Sequence, residues 1–332
     1  MNKAEAIANQ YATLSVRTRK LNVLEVLPAK EWMDRGSKMA KPKMLFGPLW
    51  FTGELTVLFA GTGVGKTVLA VYIADLISSG KQWLPFPNEC GPQKVLYIDF
   101  ELSNKQFQIR YTNPDTGEMH AFNENFLRAE LNSEEEISDE DIMRAIEEKV
   151  VQTGATVLVV DNITWLGNEM EKGRNAKALM RILSDLKKNH KLSILVLAHT
   201  PKRDETLPIE LNDLYGSVMI ANFIDGAFTL GRSKRGIDYR YIKQLKCRSA
   251  ITHFHENNVA FIEIGKWNNR MAFTFNDFST EREHLRGVDS TKQDLMERLQ
   301  HLHEQGLNQR QIAKELGKSL GFVNENLKKL NG

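Results

Sequence analysis

A glycine-rich segment that separates a strand-like run from a helix-like run constrains this chain more than any other feature. Residues 60–67 read Ala-Gly-Thr-Gly-Val-Gly-Lys-Thr. The run before them, residues 55–60, is mostly apolar, and from Val68 to Ile77 apolar side chains recur at the spacing of a helix face. A strand, a glycine turn and a helix N-terminus in this order predict a set of backbone N–H groups that converge on a bound anion.

The residue types within this segment suit the phosphates of a nucleotide. Its glycines are expected to adopt positive φ, which lets the backbone approach a β-phosphate closely. Lys66 is placed to reach the β- and γ-phosphates, and the Thr67 hydroxyl is placed to bind Mg²⁺. The segment follows the P-loop pattern, with Ala60 in the place of the first glycine. A glycine turn that only joins a strand to a helix is the alternative. The predicted ATP-binding residues are Gly61, Thr62, Gly63, Val64, Gly65, Lys66, Thr67 and Val68.

Composition removes several other classes of function. Charged residues make up 26% of the 332 residues and the formal net charge is +2, so the chain as a whole lacks the charge excess typical of nucleic-acid binding. The two cysteines, Cys90 and Cys247, are too few for a disulfide framework or a zinc knuckle. The sequence has no run of about 18 apolar residues and no apolar stretch of a secretion signal near its N-terminus. We therefore expect a cytoplasmic protein with no membrane partner.

The alternation of predicted strands and helices indicates an α/β fold from about residue 45 onward. Predicted strands at residues 55–60, 94–100, 156–161 and 193–199 are separated by helical patterns, which favours a mainly parallel sheet. Later predicted strands follow one another without long helices and indicate an antiparallel extension at the sheet edge. They lie at residues 226–230, 239–246, 260–265 and 271–275. Ser138 and Asp141 have the spacing of a capping box at the start of a further helix.

Two of the predicted strands end in carboxylates, at the sheet edge where open α/β folds bind their ligands. Asp161 closes the strand at residues 156–161 and is expected to support Mg²⁺. Asp99 lies near the end of the strand at residues 94–100 and Glu101 directly follows it, and strand alternation places both on one face. Glu101 could deprotonate an attacking water there. A solvent-facing acid at a strand end is the alternative.

The position after Asp161 narrows the class of ATPase. Asn162 stands where AAA+ proteins usually carry their catalytic glutamate, so the general base must come from another strand. In this respect residues 45–280 resemble RecA-type P-loop ATPases, particularly hexameric replicative helicases of the DnaB type and the plasmid RepA type. The resemblance implies a RecA-like core that binds ATP and Mg²⁺, with Glu101 activating water. It also implies that His199 senses the γ-phosphate; a plain polar residue at a strand end is the alternative.

The same resemblance implies partners. RecA-type hexamers complete each ATP site with a basic residue of the neighbouring subunit, and Lys246 and Arg248 match the Lys-x-Arg element that supplies it. This predicts a homo-hexamer, although a basic edge strand protected from aggregation is the competing interpretation. The loops after the strands at residues 156–161 and 193–199 would line a channel for single-stranded DNA, or else form ordinary flexible lids. The candidate DNA contacts in these loops are Lys172, Arg174, Lys202 and Arg203.

The C-terminal segment predicts a small all-α domain that resembles a helix-turn-helix. Amphipathic stretches at residues 291–305, 308–317 and 319–330 flank a glycine turn, and Ser319 is placed to cap the last helix. A three-helix module that docks a protein is the alternative. The predicted core positions are Ile312, Ala313, Leu316, Val323 and Leu327, and the exposed candidates for contact with DNA are Lys318, Asn324 and Asn326.

The expected function is that of an ATP-hydrolysing motor on DNA, a helicase or translocase that replicates a mobile element, phage or plasmid. We expect an N-terminal arm or linker at residues 1–45 with a short helix near residues 29–35, an ATPase domain at residues 46–280 and the helix-turn-helix domain at residues 281–332. Two alternatives stay open. One is an ATP-switched DNA-binding regulator without unwinding activity, and the other is an assembly ATPase that binds proteins through residues 281–332.

Overall fold

The computed structural model describes residues 24–131, 138–163, 174–201, 203–214, 217–285, 287, 299–304, 307–316 and 318–330. The chain divides into two compact units, residues 1–41 and residues 42–332. In the described part of the first unit, helix α1 spans Ala29–Ser37 and none of its residues is buried. An ion pair between Arg35 and Glu25, 2.7 Å long, links this helix to the segment before it. The short helix predicted near residues 29–35 is therefore present and is two residues longer than expected.

The second unit is built on a nine-stranded sheet. Its strands run in the order β11-β10-β9-β8-β3-β7-β6-β4-β5. The six strands from β8 to β5 are parallel to one another, and β9, β10 and β11 extend the sheet antiparallel beyond β8. The strands are β3 Leu55–Ala60, β4 Val95–Asp99, β5 Phe126–Glu130, β6 Val157–Asp161, β7 Ser193–His199, β8 Gly226–Arg232, β9 Tyr239–Cys247, β10 Val259–Trp267 and β11 Arg270–Ser279; a separate hairpin pairs β1 Met44–Phe46 with β2 Trp50–Phe51.

This architecture confirms the predicted fold class, a mainly parallel α/β sheet with an antiparallel edge extension. The bounds of β3 and β7 coincide with the prediction, because both are continuous apolar runs between polar residues. The sequence pattern missed β5, whose residues are only half-buried at the sheet edge and do not alternate cleanly. It also placed β8 with the antiparallel strands, whereas β8 pairs in parallel with β3.

Helices cover both faces of the sheet. Helix α2, Lys66–Ser79, begins after Gly65 and ends at Gly80, both in the left-handed region. It packs into one apolar layer, and α4 and α5 pack into the other. The Ser138 hydroxyl accepts a hydrogen bond of 3.2 Å from the Asp141 N–H at the start of α4, as the capping-box spacing predicted. The remaining helices of this part are α3 Asn104–Arg110, α4 Asp139–Thr153, α5 Arg174–His190 and α6 Ser217–Phe223, with 3-10 turns at Leu211–Asp213 and Glu281–Glu283.

The C-terminal segment is helical in the residues that the structure describes. Residues 299–304 are helical, followed by α7 Gln309–Leu316 and α8 Leu320–Leu330. The Ser319 hydroxyl accepts a hydrogen bond from the Phe322 N–H at 3.2 Å and so caps α8. A separate apolar cluster is formed by buried Leu299, Ile312, Val323 and Leu327 with half-buried Leu302, Leu307, Ala313, Leu316 and Phe322. The predicted core positions are part of this cluster.

The side chains predicted to face DNA on α8 and just before it are not all at the surface. Lys318 is exposed. Asn326, by contrast, is 4% exposed, and its amide donates a hydrogen bond of 2.7 Å to the Phe322 carbonyl. The prediction that Asn326 is exposed is wrong, because this position faces the apolar cluster one turn after Phe322. The Asn324 side chain is partly buried, and its Oδ1 has no hydrogen-bond partner among the residues that the structure describes.

No helix among the described residues is long and apolar enough to cross a membrane.

Candidate nucleotide-binding and catalytic site

The glycine-rich loop connects β3 to α2 at the carboxyl edge of the sheet. Gly63 and Gly65 have φ of 69° and 113°, so both use the left-handed region that favours glycine. A Cβ atom on Gly65 would lie 2.9 Å from Cδ1 of Ile264, so the loop also packs closely against β10. Gly61 does not adopt positive φ, contrary to the prediction. Gly61 directly follows β3, and the turn begins at the next residue, Thr62.

Lys66 stands in the first turn of α2 with its side chain turned back toward the loop. Its Nζ donates hydrogen bonds to the Ala60 carbonyl at 3.0 Å and the Gly61 carbonyl at 3.3 Å, and it lies 3.1 Å from Nδ1 of His199. The residue is 7% exposed. Burial lowers the pKa of Lys66, whereas the nearby carboxylates of Glu101 and Asp161 oppose that shift. The two acids therefore help to keep a buried ammonium charged beside the loop.

Asp161 ends β6 and is 1% exposed. The Tyr97 hydroxyl donates a hydrogen bond of 2.7 Å to Oδ2, and the Thr67 side chain also bonds to this carboxylate. Burial raises the pKa of Asp161 to about 6, against the stabilising effect of these hydrogen bonds. A hydroxyl oxygen and a carboxylate in contact are the hard oxygen donors that Mg²⁺ prefers. Thr67 and Asp161 therefore fit the magnesium site that the sequence predicts.

The side chains of Glu101, Asn162 and His199 lie together, and His199 also contacts Lys66. The Asn162 amide donates a hydrogen bond to Glu101 and lies 2.9 Å from Nε2 of His199. Nε2 of His199 is 3.6 Å from Oε1 of Glu101. The hydrogen bond with His199 lowers the pKa of Glu101, although partial burial opposes this. Glu101 is therefore a carboxylate that remains ionised at neutral pH, on a partly exposed side chain.

His199 connects the lysine to the acid. Because the Lys66 ammonium can only donate, Nδ1 of His199 accepts its hydrogen bond, while Nε2 of the same ring faces Glu101 and Asn162. The order Lys66, His199, Glu101 is thus a short polar chain across the site. Three different elements, α2, β7 and the segment after β4, contribute one residue each.

The position of Glu101 differs from the prediction. Strand β4 ends at Asp99, so Glu101 lies in the following turn and the alternation rule does not apply to it. Oδ1 of Asp99 accepts hydrogen bonds from the N–H groups of Glu101 at 3.0 Å and Leu102 at 2.9 Å. Arg128 of β5 donates to Oδ2 of Asp99 at 2.9 Å and also bonds the Leu102 carbonyl. Asp99 therefore shapes the turn that carries Glu101 instead of sharing its face.

Sequence patterns missed two arginines that contact the outer side of the glycine-rich loop. Arg232, at the end of β8, donates to the Thr62 carbonyl at 3.4 Å and the Gly63 carbonyl at 3.1 Å. Arg240, in β9, donates to the Val64 carbonyl at 2.7 Å. These pairs are separated by 169 to 176 positions in the chain. No local pattern links them, because strand pairing alone brings β8 and β9 next to the loop.

Lys246 and Arg248 are not brought to this site within one chain. Lys246 donates to the Ala221 carbonyl, and Arg248 pairs with Asp225 at 3.1 Å. Both lie beside the start of β8, which pairs with the start of β3, whereas Lys66 follows the end of β3. The six residues of β3 separate these two edges by roughly 16 Å. An action of Lys246 or Arg248 on a neighbouring subunit stays a prediction.

The other predicted DNA contacts are only partly described. Lys172 and Lys202 lie outside the described residues, and Arg174 is described only as the first residue of α5. Arg203 bonds Asp213 at 3.2 Å and the carbonyls of Leu207 and Pro208. These bonds hold the loop after β7 in its fold. A phosphate contact by Arg203 would require some of them to break.

Comparisons with curated proteins and with solved structures do not assign this chain to a family. No curated protein matches the chain significantly. Among solved structures, a KaiC-like protein from the hyperthermophilic archaeon Pyrococcus horikoshii OT3 superposes with a TM-score of 0.48 at 13% sequence identity, covering 70% of this chain and 94% of that chain. At this identity and TM-score, the likeness is no guide to activity, ligands or assembly.

A match to a family model covers enough of the chain to assign its family. The model described as an AAA domain matches residues 22–205, which is more than half of the chain. The match includes the glycine-rich loop, Glu101, Asp161 and His199. This chain therefore belongs to the AAA domain family, whose members are P-loop ATPases.

Proposed function

We propose that this protein is a RecA-type ATPase that hydrolyses ATP with Mg²⁺ and uses the energy to move on or remodel DNA, as a helicase or translocase of a mobile element, phage or plasmid. The observation that carries the hydrolytic part is the polar chain from Lys66 through His199 to Glu101. It places a cation and an ionised carboxylate on the two sides of one histidine, next to the loop that would hold the phosphates.

Binding would use the loop and its flanking residues. The N–H groups around Gly63 and Gly65 hold the β-phosphate, and the Lys66 ammonium leaves its carbonyl partners to contact the γ-phosphate. Thr67 and Asp161 would hold Mg²⁺, which would neutralise negative charge on the phosphates when bound. Tyr97 holds Asp161 in place through its 2.7 Å hydrogen bond.

Hydrolysis would use Glu101 as the general base. Its carboxylate is ionised at neutral pH, and 38% of its side chain is exposed, so a water molecule can reach it. Glu101 accepts the proton of that water while the oxygen attacks the γ-phosphate in line. Asn162 keeps the carboxylate oriented without adding a second negative charge. Because Glu101 comes from the segment after β4, a chain with asparagine after Asp161 would still have a general base for ATP hydrolysis.

The DNA part of the proposal rests on coupling through His199. His199 ends β7 and faces the γ-phosphate position through Lys66, and the next residues form the loop that contains Arg203. A change at the phosphate therefore has a direct covalent route to that loop. The resemblance to RecA-type helicases, and that of helices α7 and α8 to a helix-turn-helix, support DNA as the partner. The match of Lys246 and Arg248 to the Lys-x-Arg element supports a ring in which neighbours complete each site.

The first test substitutes the proposed base. Glu101→Gln keeps the size of the side chain and its hydrogen bond with Asn162, so binding of a fluorescent ATP analogue should match wild type. Turnover should fall by about 10²- to 10⁴-fold, the usual contribution of a general base. Exposed Glu124→Gln is the matched control and should behave as wild type. Unchanged turnover in Glu101→Gln would remove Glu101 from the mechanism.

A second experiment separates the DNA motor from its rivals. The ATPase rate is measured with and without single-stranded DNA, and strand displacement is followed on a forked duplex. A helicase requires both stimulation and displacement and a translocase requires stimulation, whereas site-specific footprinting with neither would identify an ATP-switched regulator. No response to DNA would favour an assembly ATPase.

A further inference from the structure

The outer surface of the glycine-rich loop is held by two guanidinium groups that the proposed chemistry does not use. Arg232 donates to the carbonyls of Thr62 and Gly63, and Arg240 donates to the carbonyl of Val64. Three consecutive carbonyls of the loop therefore each meet a positive charge. We propose that Arg232 and Arg240 are positioning residues for phosphate binding, an inference that rests on the proposed nucleotide site.

The geometry of the peptide bond links these carbonyls to the phosphates. A trans peptide is planar, and its C=O and N–H groups point in opposite directions. The carbonyls of Thr62, Gly63 and Val64 belong to the same peptide units as the N–H groups of Gly63, Val64 and Gly65. A guanidinium that fixes such a carbonyl on the outer side therefore turns the matching N–H toward the phosphate side. Three of the N–H groups that cradle an anion are oriented in this way.

The charge of the arginines adds to the effect of their position. Hydrogen bonds from an ionised donor are stronger than neutral ones, and a hydrogen bond to a carbonyl polarises the whole peptide unit. The N–H at the other end of that unit then becomes a better donor to a phosphate. The loop gains this polarisation without placing a cation in the position that the phosphates occupy.

Arg240 is the more firmly held of the two arginines. It is 7% exposed, and besides Val64 it donates to the carbonyls of Ile237 at 2.6 Å and Tyr239 at 2.7 Å. Burial lowers the pKa of Arg240, yet an arginine stays charged at neutral pH. In the described part of the chain, its hydrogen bonds all go to backbone carbonyls. The guanidinium thus ties the loop to the turn between β8 and β9.

Arg232 is the better of the two arginines for a test by substitution. It is exposed, so its replacement removes few packing contacts. A Cβ atom on Gly63 would lie 3.4 Å from its guanidinium nitrogen, which shows how closely the arginine follows the loop. Arg235 lies three residues later in the same turn but pairs with Glu283 and covers the Phe261 ring at 4.9 Å. Arg235 therefore has the same charge and neighbourhood without a hydrogen bond to the loop.

The experiment compares Arg232→Ala, Arg232→Lys and Arg235→Ala in the full-length protein. The dissociation constant of a fluorescent ATP analogue, the KM and kcat for ATP, and the melting temperature without nucleotide are measured for each. Arg232→Ala should weaken binding and raise KM by about five- to tenfold, in line with the loss of two charge-assisted hydrogen bonds. Its kcat should stay within about twofold and its melting temperature should equal that of wild type. The dissociation constant and KM of Arg232→Lys should lie between those of wild type and Arg232→Ala. Arg235→Ala should match wild type in the dissociation constant, KM and kcat.

Each outcome either supports or overturns the positioning role of Arg232. An Arg232→Ala protein that binds ATP as well as Arg235→Ala does would overturn the positioning role while leaving the ATP site intact. Equal losses in the two variants would mean that general positive charge is responsible and would overturn it as well. A wild-type protein that fails to bind the analogue would overturn the proposed function together with this inference. A rise in KM confined to Arg232→Ala, partly rescued by lysine, supports it.

Discussion

Glu101 illustrates how a single residue acquires its position from others. Its backbone N–H is bound by Asp99, and Asp99 is bound in turn by Arg128. Arg128 contacts no part of the proposed phosphate site directly, yet it holds the turn that carries the base. Its contribution to catalysis should therefore appear in the rate of the chemical step and not in nucleotide affinity.

Arg128→Ala should lower kcat by about tenfold, which corresponds to about 1.4 kcal/mol of transition-state stabilisation. KM should stay within about twofold, because Lys66 and the glycine-rich loop are unchanged. Lys105→Ala is the control, since Lys105 is exposed and its ammonium bonds only the Gln108 side chain among the described residues. Steady-state ATPase kinetics provide both parameters. A rise in KM at constant kcat would contradict the positioning of Glu101 by Arg128.

At the scale of elements, a buried ion pair joins three segments on the side of β9 away from α2. Lys243 of β9 pairs with Glu281 of the last 3-10 turn, and both side chains are less than 10% exposed. Lys243 also donates to the Ile209 carbonyl at 2.8 Å, and Glu281 accepts from the Ile209 N–H at 2.8 Å. The loop after β7 is therefore fastened to the sheet by the same two charges that fasten the turn after β11.

Breaking this pair on one side should be costly. Lys243→Met leaves the Glu281 carboxylate buried without its cation and should lower the free energy of unfolding by about 3–5 kcal/mol. The double substitution Lys243→Met with Glu281→Gln should recover part of this loss, because no uncompensated charge remains while the glutamine oxygen can still accept from Ile209. Urea unfolding followed by tryptophan fluorescence measures both. Equal stability of the single and double variants would refute the role of the charge.

A buried histidine in the same region should make stability depend on pH. His284 is 0% exposed, its ring stacks on Tyr241, and Ser233 and Ser279 lie 2.8 and 2.6 Å from its two nitrogens. Burial lowers the pKa of His284 to about 4, and the positive charges of Arg235 and Lys234 add to this, whereas Glu283 opposes it. The folded state therefore keeps the ring neutral in a range where the unfolded chain takes up a proton.

The consequence is a loss of stability as the pH falls. The neutral ring contributes its full stabilisation above pH 6.5, and this is lost as the pH falls from 6.5 through about 4. The loss should reach about 3 kcal/mol for wild type, given 1.4 kcal/mol per pKa unit. His284→Gln keeps polar contacts but cannot titrate, so its unfolding free energy should depend less on pH. Parallel curves for the two proteins between pH 7 and 4 would exclude His284 as the source.

At the scale of the whole molecule, the sheet separates two edges that the proposed ring would join. The phosphate site lies at the carboxyl edge of β3, whereas Lys246 and Arg248 lie beside its other end. One chain therefore cannot supply Arg248 to its own site. A neighbour in a ring could, because successive subunits present opposite surfaces to each other.

Mixing two inactive variants tests this arrangement. Lys66→Ala and Arg248→Ala should each be inactive alone, but in a 1:1 mixture about a quarter of the interfaces would pair an intact Lys66 with an intact Arg248. ATPase activity should therefore return to roughly that fraction of wild type. Mixing Lys66→Ala with Glu101→Gln should restore nothing, because both defects lie in the subunit that holds the loop. Activity equal to the mean of the separate variants would exclude a shared site.

The sequence by itself determined the strand, the glycine turn and the helix that build the loop, as well as the α/β fold and the cap of α4. These features depend on neighbours in the chain, because apolar period, positive φ and capping spacing all act over a few residues. Lys66, Thr67 and Asp161 were predicted for the same reason, since each occupies a defined place next to a strand end or helix start.

Only the tertiary structure decided which side chains support that site. Arg128 lies on a half-buried edge strand whose pattern is weak, and Arg232 and Arg240 reach the loop from strands about 170 residues further along. Whether Asn326 faces solvent likewise depended on how α8 packs in its apolar cluster. The physical reason is the same in each case: a hydrogen bond between distant segments is set by strand order and side-chain packing, neither of which has a local period in the sequence.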